Sequence, residues 1–194
     1  EASFGSWRNK LTFIADDEDR NRHMIDVDRL ASQVDTTFPK YNVNKILSDA
    51  YPQRATPGGH RYPDVNTAID DAVQRGSLTI NYLGHGGELG WAHERILEVS
   101  QINKWNNIKN MPLLITATCE FSRFDDPKRT SAGEFVFLNP DGGGIALLTT
   151  TRLVYSTPNF ELAKKFNEVA YREYDEYPRL GDLARLTKAS QSSI

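Results

Sequence analysis

The 194 residues carry 23 Lys and Arg against 26 Asp and Glu, a formal charge of -3, with 39% apolar and 10% aromatic side chains. This length and balance fit one α/β domain with a complete core, and the interspersed charges leave no basic footprint for a nucleic acid. No apolar run is long enough to cross a bilayer, and the single cysteine excludes an internal disulfide, which suits a reducing compartment or an extracytoplasmic protein large enough to stand without one.

In chain order, Lys10 to Ala15 reads as a first strand, closed by the acidic cluster Asp16-Asp17-Glu18-Asp19. Val27, Leu30, Ala31 and Val34 then recur at helical period. Tyr41 to Leu47 reads as a second strand, and Tyr51 to Pro63, rich in Pro and Gly, as loop. Val65, Ala68, Ile69, Ala72 and Val73 repeat the helical stripe, with Gly76 as its stop. Leu78 to Leu83 forms a third strand ending at His85, Ile96 to Ile108 a helix, and Pro112 to Thr118 a fourth strand ending at Cys119. After the turn Asn139-Pro140-Asp141-Gly142-Gly143, Gly144 to Thr150 makes a fifth strand. Leu162, Phe166, Val169 and Ala170 outline a further helix with Pro158 in its first turn, and Leu183 to Ser190 reads as another. Alternating strands and helices predict a mostly parallel sheet covered on both faces. The amino end lacks the regions of a signal peptide. The chain starts at Glu1 without Met and stops at Ile194 within helical pattern, so residues 1–194 are expected to be one domain cut from a longer multidomain chain.

If the third and fourth strands are neighbours, the imidazole of His85 and the thiol of Cys119 emerge at one sheet edge, where open α/β sheets place their chemistry. A cysteine attacks carbonyl carbon as its thiolate and needs a base within reach. Histidine titrates near neutrality and can take the thiol proton, then return one to a leaving amine. The N–H groups of Gly86 and Cys119 are the candidate oxyanion donors. Asp16 and Asp17 end the first strand on the same edge; either orients His85 or holds a basic substrate group, or the cluster is solvated loop. Glu88 and Glu120 are nearer in sequence, but neighbouring strand side chains face opposite ways.

The string Tyr82-Leu83-Gly84-His85-Gly86-Gly87-Glu88-Leu89-Gly90-Trp91-Ala92 resembles the gingipain family of cysteine peptidases. Ala117-Thr118-Cys119-Glu120-Phe121, Gly133-Glu134 and Gly144-Ile145-Ala146-Leu147-Leu148 continue the similarity. Within that family, Thr116 to Pro127 and Gly90 to Arg95 are most similar to the PorU-type sortases of type IX secretion systems. The resemblance implies a caspase-like three-layer α/β sandwich with His85 and Cys119 as the catalytic pair. It also implies a surface location at the outer membrane, and other secretion components as partners. The substrate would be exported cargo, cut to remove a carboxy-terminal sorting domain and joined in some cases to a surface lipopolysaccharide. Trp91 either walls the substrate cleft, as the family string implies, or belongs to the core. The digestive gingipains have a second cysteine before the nucleophile where this chain has Thr118. The stretch matching their specificity loop, Thr149 to Ser156, has no acidic residue to select a basic side chain. Thr150, Thr151 and Tyr155 instead suggest a small or polar residue before the cut. No cofactor is required, although related enzymes carry structural calcium and acidic loops such as Asp16 to Asp19 suit it.

Two other readings compete. His85, His93, Cys119 and Glu94 include metal-ligand types, without the short spacing of a zinc motif. A doubly wound scaffold can also serve as a binding module or an inactive peptidase, since fold alone does not specify function.

Overall fold

A computed structural model describes residues 3–191; Glu1 and Ile194 lie outside the described residues. Strands β1 (Lys10–Ala15) and β2 (Asn42–Leu47) flank helix α1 (Glu18–Thr37), and a hairpin of β3 (Arg54–Thr56) and β4 (Gly59–Arg61) precedes α2 (Pro63–Gln74). Then come β5 (Thr79–Leu83), the short strands β6 (Gly86–Gly87), β7 (Gly90–Trp91) and β8 (Leu97–Glu98), and the one-turn helix α3 (Val99–Ile102). The chain continues through β9 (Leu113–Ala117), α4 (Ala132–Leu138), β10 (Ala146–Leu148), α5 (Ser156–Tyr171) and α6 (Leu180–Gln191).

The main sheet has five parallel strands in the order β10-β9-β5-β1-β2. Its side chains alternate between two cores, the period-two consequence of the pleat. Ile14, Ile80, Tyr82 and Leu114 face one core with Val65, Ile69 and Val73 of α2, Ile102 of α3 and Val136 of α4. Leu11, Phe13, Ala15 and Ile115 face the other, with Val27, Leu30 and Val34 of α1, Phe166 of α5 and Leu183 of α6. Burial on both faces makes these strands near-continuous apolar runs. The three-layer α/β sandwich read from the sequence is the observed architecture.

Some local readings change. Residues 51–63 hold the β3–β4 hairpin as well as loop. The helix expected over Ile96 to Ile108 shrinks to Val99–Ile102, because the side chain of Asn139 donates to the carbonyls of Ile102 (2.9 Å) and Trp105 (3.0 Å) and caps the turn early. Trp105 is held instead by its indole N–H on Asp70, at 2.8 Å. Helix α4 was not read, although its capping box is visible as Ser131-Ala-Gly-Glu134; the Glu134 carboxylate accepts from Ser131 N at 2.8 Å and Oγ at 2.7 Å. Phe137 and Leu138 at its end are exposed, which hides the apolar stripe. The fifth strand is shorter than expected, Ala146–Leu148.

Candidate active site

Strands β5 and β9 pair in parallel with Leu83 opposite Ala117. His85 and Cys119 each lie two residues past that pair, and the Gly84 N–H on Ala117 O (3.5 Å) carries the ladder one step further. Matched offsets on strands about 4.8 Å apart deliver both side chains to one crevice. It is a cavity of about 190 Å³ lined by Asp19, His23, Asp26, His85, Thr118, Cys119, Val154, Tyr155, Asn159 and Phe160. The thiol is half-buried, its Sγ 3.7 Å from the carbonyl oxygen of Val154.

Backbone geometry opens the crevice. Glu120, directly after Cys119, has φ +49°, a left-handed turn that takes the chain sharply off the strand. Glu120 N then donates to Arg152 O (3.3 Å), and Ser122 N to Thr150 O (3.1 Å). At Gly86 a side chain would meet Thr118 Oγ1 at 2.6 Å and the carbonyl of Gly90 at 2.9 Å. The residue is a glycine because β6 passes this close to β9. His85 O accepts from Ala92 N at 2.8 Å, so Gly86 and Trp91 form a non-hydrogen-bonded antiparallel pair, and the Gly86 N–H is directed out of that ladder.

The acidic cluster divides its work. Asp16 is fully buried; one carboxylate oxygen accepts from His23 Nδ1 at 2.6 Å, the other from His85 N at 2.5 Å and Tyr82 OH at 3.3 Å. It anchors the backbone of His85, not the ring. Asp17 accepts from Tyr62 OH at 2.6 Å. The ring's own partners are the two acids that follow: His85 Nε2 lies 3.1 Å from Asp19 Oδ2 and 3.6 Å from Glu18 Oε2. Asp19, Arg20 and Asn21 all have positive φ, 51°, 58° and 65°, a left-handed turn that brings these carboxylates back over His85. Two more imidazoles flank the ring. His93 stacks on it with centroids 5.3 Å apart, and His23 meets it edge-on at 5.0 Å. Burial lowers the pKa of His23, but the hydrogen bond and charge of Asp16 outweigh it and raise the value above 6.5.

Comparison with known proteins identifies the family. The model of Peptidase family C25 matches residues 1–193. The chain belongs to peptidase family C25. Among solved structures it is similar to the Arg-specific cysteine proteinase gingipain R (RgpB), with TM-score 0.72, 18% identity, and 95% of this chain and 42% of that one covered. It is also similar to the complex of Porphyromonas gingivalis RgpB pro- and mature domains, with TM-score 0.73, 16% identity and coverage of 95% and 43%. This C25 chain thus spans less than half the length of the gingipain chains it matches. No curated protein matches the sequence significantly.

Within this C25 chain the remaining candidates separate. Tyr155, 85% exposed, lines the crevice with Cys119 and His85. Thr150 lies behind it, its hydroxyl donating to the carbonyl of Thr118, while Thr151 lines a different hollow with Phe124 and Phe137. Trp91 is a core residue, 1% exposed, stacked on Tyr82 at 4.3 Å and tilted against Phe121 at 5.5 Å. Glu88, 13% exposed, clamps the two site loops by accepting from Arg123 (2.8 Å) and Arg129 (3.0 Å), and Glu120 joins Arg123 at 3.2 Å. The sequence reading missed Asp19, His23 and Asp26 as one group, because Asp19 joins the other two through the left-handed turn at Asp19 to Asn21 and not through helical spacing.

Proposed function

We propose that this chain is the catalytic unit of a cysteine endopeptidase in which Cys119 is the nucleophile and His85 the base. The observation that carries this is the shared crevice: an imidazole and the lone thiol at matched positions on adjoining parallel strands. Asp19 on Nε2 fixes that nitrogen as the N–H and leaves Nδ1 to take the thiol proton. The thiolate adds to the peptide carbonyl, and the N–H groups of Gly86 and Cys119 receive the oxyanion, each donor contributing about 3 kcal/mol to the barrier. His85 returns the proton to the leaving amine, and a thioester to Cys119 remains. Water releases it, or an amine captures it. Asp16 is a positioning residue for the His85 backbone, and each step uses side chains and amides of this chain. Labelling by a peptide-based thiol-reactive probe tests the reading: wild type reacts, Cys119→Ala does not, and His85→Ala reacts at least a hundredfold more slowly. Equal labelling of wild type and His85→Ala would overturn it.

The substrate is proposed to be exported cargo at the outer membrane surface, with removal of its carboxy-terminal sorting domain and transfer to a surface acceptor, in company with other secretion components. The strings Gly90 to Arg95 and Thr116 to Pro127 support this by resemblance to the PorU-type sortases. Mass spectrometry of cargo treated with enzyme and an amine acceptor checks it: the sorting domain leaves and the new terminus carries the amine. With Tyr155 as the exposed cleft residue and a threonine backing it, the residue before the cut is proposed to be small or polar. A cleavage profile dominated by Arg or Lys rejects that.

A further inference from the structure

The environment of His85 holds more ligand-type atoms than an acyl-transfer base requires. Glu18, His85 and His93 each present one ligand atom, and the three atoms lie within 4.8 Å of one another. Glu18 bridges the pair: one oxygen is 2.5 Å from His93 Nδ1 and the other 3.6 Å from His85 Nε2. The two rings are stacked, 19° from parallel. The ligands come from three separate segments, the first residue of α1, the turn after β5 and the loop after β7. The site is therefore built by the tertiary fold.

We propose that Glu18, His85 and His93 form a site for a borderline divalent cation such as zinc, whose binding draws His85 away from Cys119 and reversibly silences the peptidase. The proposal rests on His85 being the base. Imidazole nitrogen with one carboxylate is a ligand set that zinc, copper and nickel favour over calcium or magnesium. Zinc bonds of about 2.0–2.2 Å in a tetrahedron set ligand atoms about 3.4 Å apart; the 3.6 Å pair of Glu18 and His85 already matches, and the 2.5 Å hydrogen bond of Glu18 and His93 opens to admit the ion. His93 is exposed, with a side-chain accessibility of 74%, and gives a metal entry from solvent. Water supplies the open fourth position, as in three-ligand zinc sites. The other grouping around the ring, Asp19, His23 and His85, is the weaker one, because His23 is already committed to the buried carboxylate of Asp16 at 2.6 Å.

Zinc competition against a chromogenic chelator, run on the full-length protein, tests the site without reference to catalysis. Wild type and Cys119→Ala are expected to bind one zinc with equal affinity, and His93→Gln and Glu18→Gln at least tenfold more weakly. Binding lost in Cys119→Ala would assign the metal to the thiol, and binding unchanged in His93→Gln would remove the triad; either overturns the proposal. Ring 15N shifts of His85 and His93 that move on adding zinc to Cys119→Ala support it. In the peptidase assay, chelator-treated His93→Gln keeps the wild-type rate and resists zinc at least tenfold better. Equal zinc sensitivity of the two overturns the proposal while the peptidase reading stands. Loss of all thiol-dependent cleavage in chelator-treated wild type defeats the peptidase reading, and the silencing role with it.

Discussion

Replacing Asp16 by Asn changes one atom in a fully buried position and leaves the shape intact, so the cost isolates the charge. The carboxylate accepts from His23 Nδ1 at 2.6 Å and His85 N at 2.5 Å; hydrogen bonds to a charged group contribute about 1.5–3 kcal/mol each. An Asn amide offers a donor to at least one partner that is itself a donor. Both routes give a loss of about 3–5 kcal/mol, the usual cost of breaking a buried charged pair, or about 6–20 °C in Tm for a chain of this size. Urea denaturation with an unchanged m-value is the assay. The pH dependence carries a sign. The folded pKa of His23 is raised, so its contribution is fully present below 6.5 and is lost as pH rises through the folded value. The deficit of Asp16→Asn is therefore larger at pH 6 than at pH 9. A deficit below about 1 kcal/mol, or one that grows with pH, refutes this account of how the loop is held.

Other substitutions carry smaller expectations. Burial, aided by the charges of Glu18, Asp17 and Asp16, raises the carboxyl of Glu94 above 4.5, and its Oε2 has no hydrogen-bond partner among the described residues. The folded state loses stability as pH climbs from 4.5 through that raised value, so Glu94→Gln is about 1 kcal/mol more stable at pH 8 and equal to wild type at pH 4, by paired thermal melts. Arg20, exposed at φ +58°, sits where glycine is unstrained, and Arg20→Gly raises stability by about 1 kcal/mol in the same melts. Glu88→Gln weakens the bonds to Arg123 and Arg129 and costs about 1–2 kcal/mol. Hydrogen exchange between residues 120 and 131 should then quicken while that of β1 stays slow.

Much of the scaffold was legible because period-two and period-3.6 patterns are strong where both sheet faces are buried. The runs ending at His85 and Cys119 show this, and their strands pair as the alternation implied. What escaped reading was set by contacts distant in sequence. Asn139 ends α3 across 37 residues, and Trp91 is drawn into the core by Tyr82 and Phe121. The acids after Ala15 were visible, but which of them meets the His85 ring depends on the left-handed turn at Asp19 to Asn21, a conformation that ordinary propensities argue against. Their proximity to β5 follows from topology: the strand order reverses beside β1, and ligands of open sheets gather at such a reversal.

The paired order of β1, β5 and β9 also governs when reactivity can arise. During synthesis the imidazole is made 34 residues before the thiol, and parallel pairing over such separations is slow. An emerging polypeptide therefore carries neither a poised sulfur nor a formed crevice until β9 has docked against β5. Under the proposed function, self-cleavage of half-made chains is forestalled by the order of assembly itself.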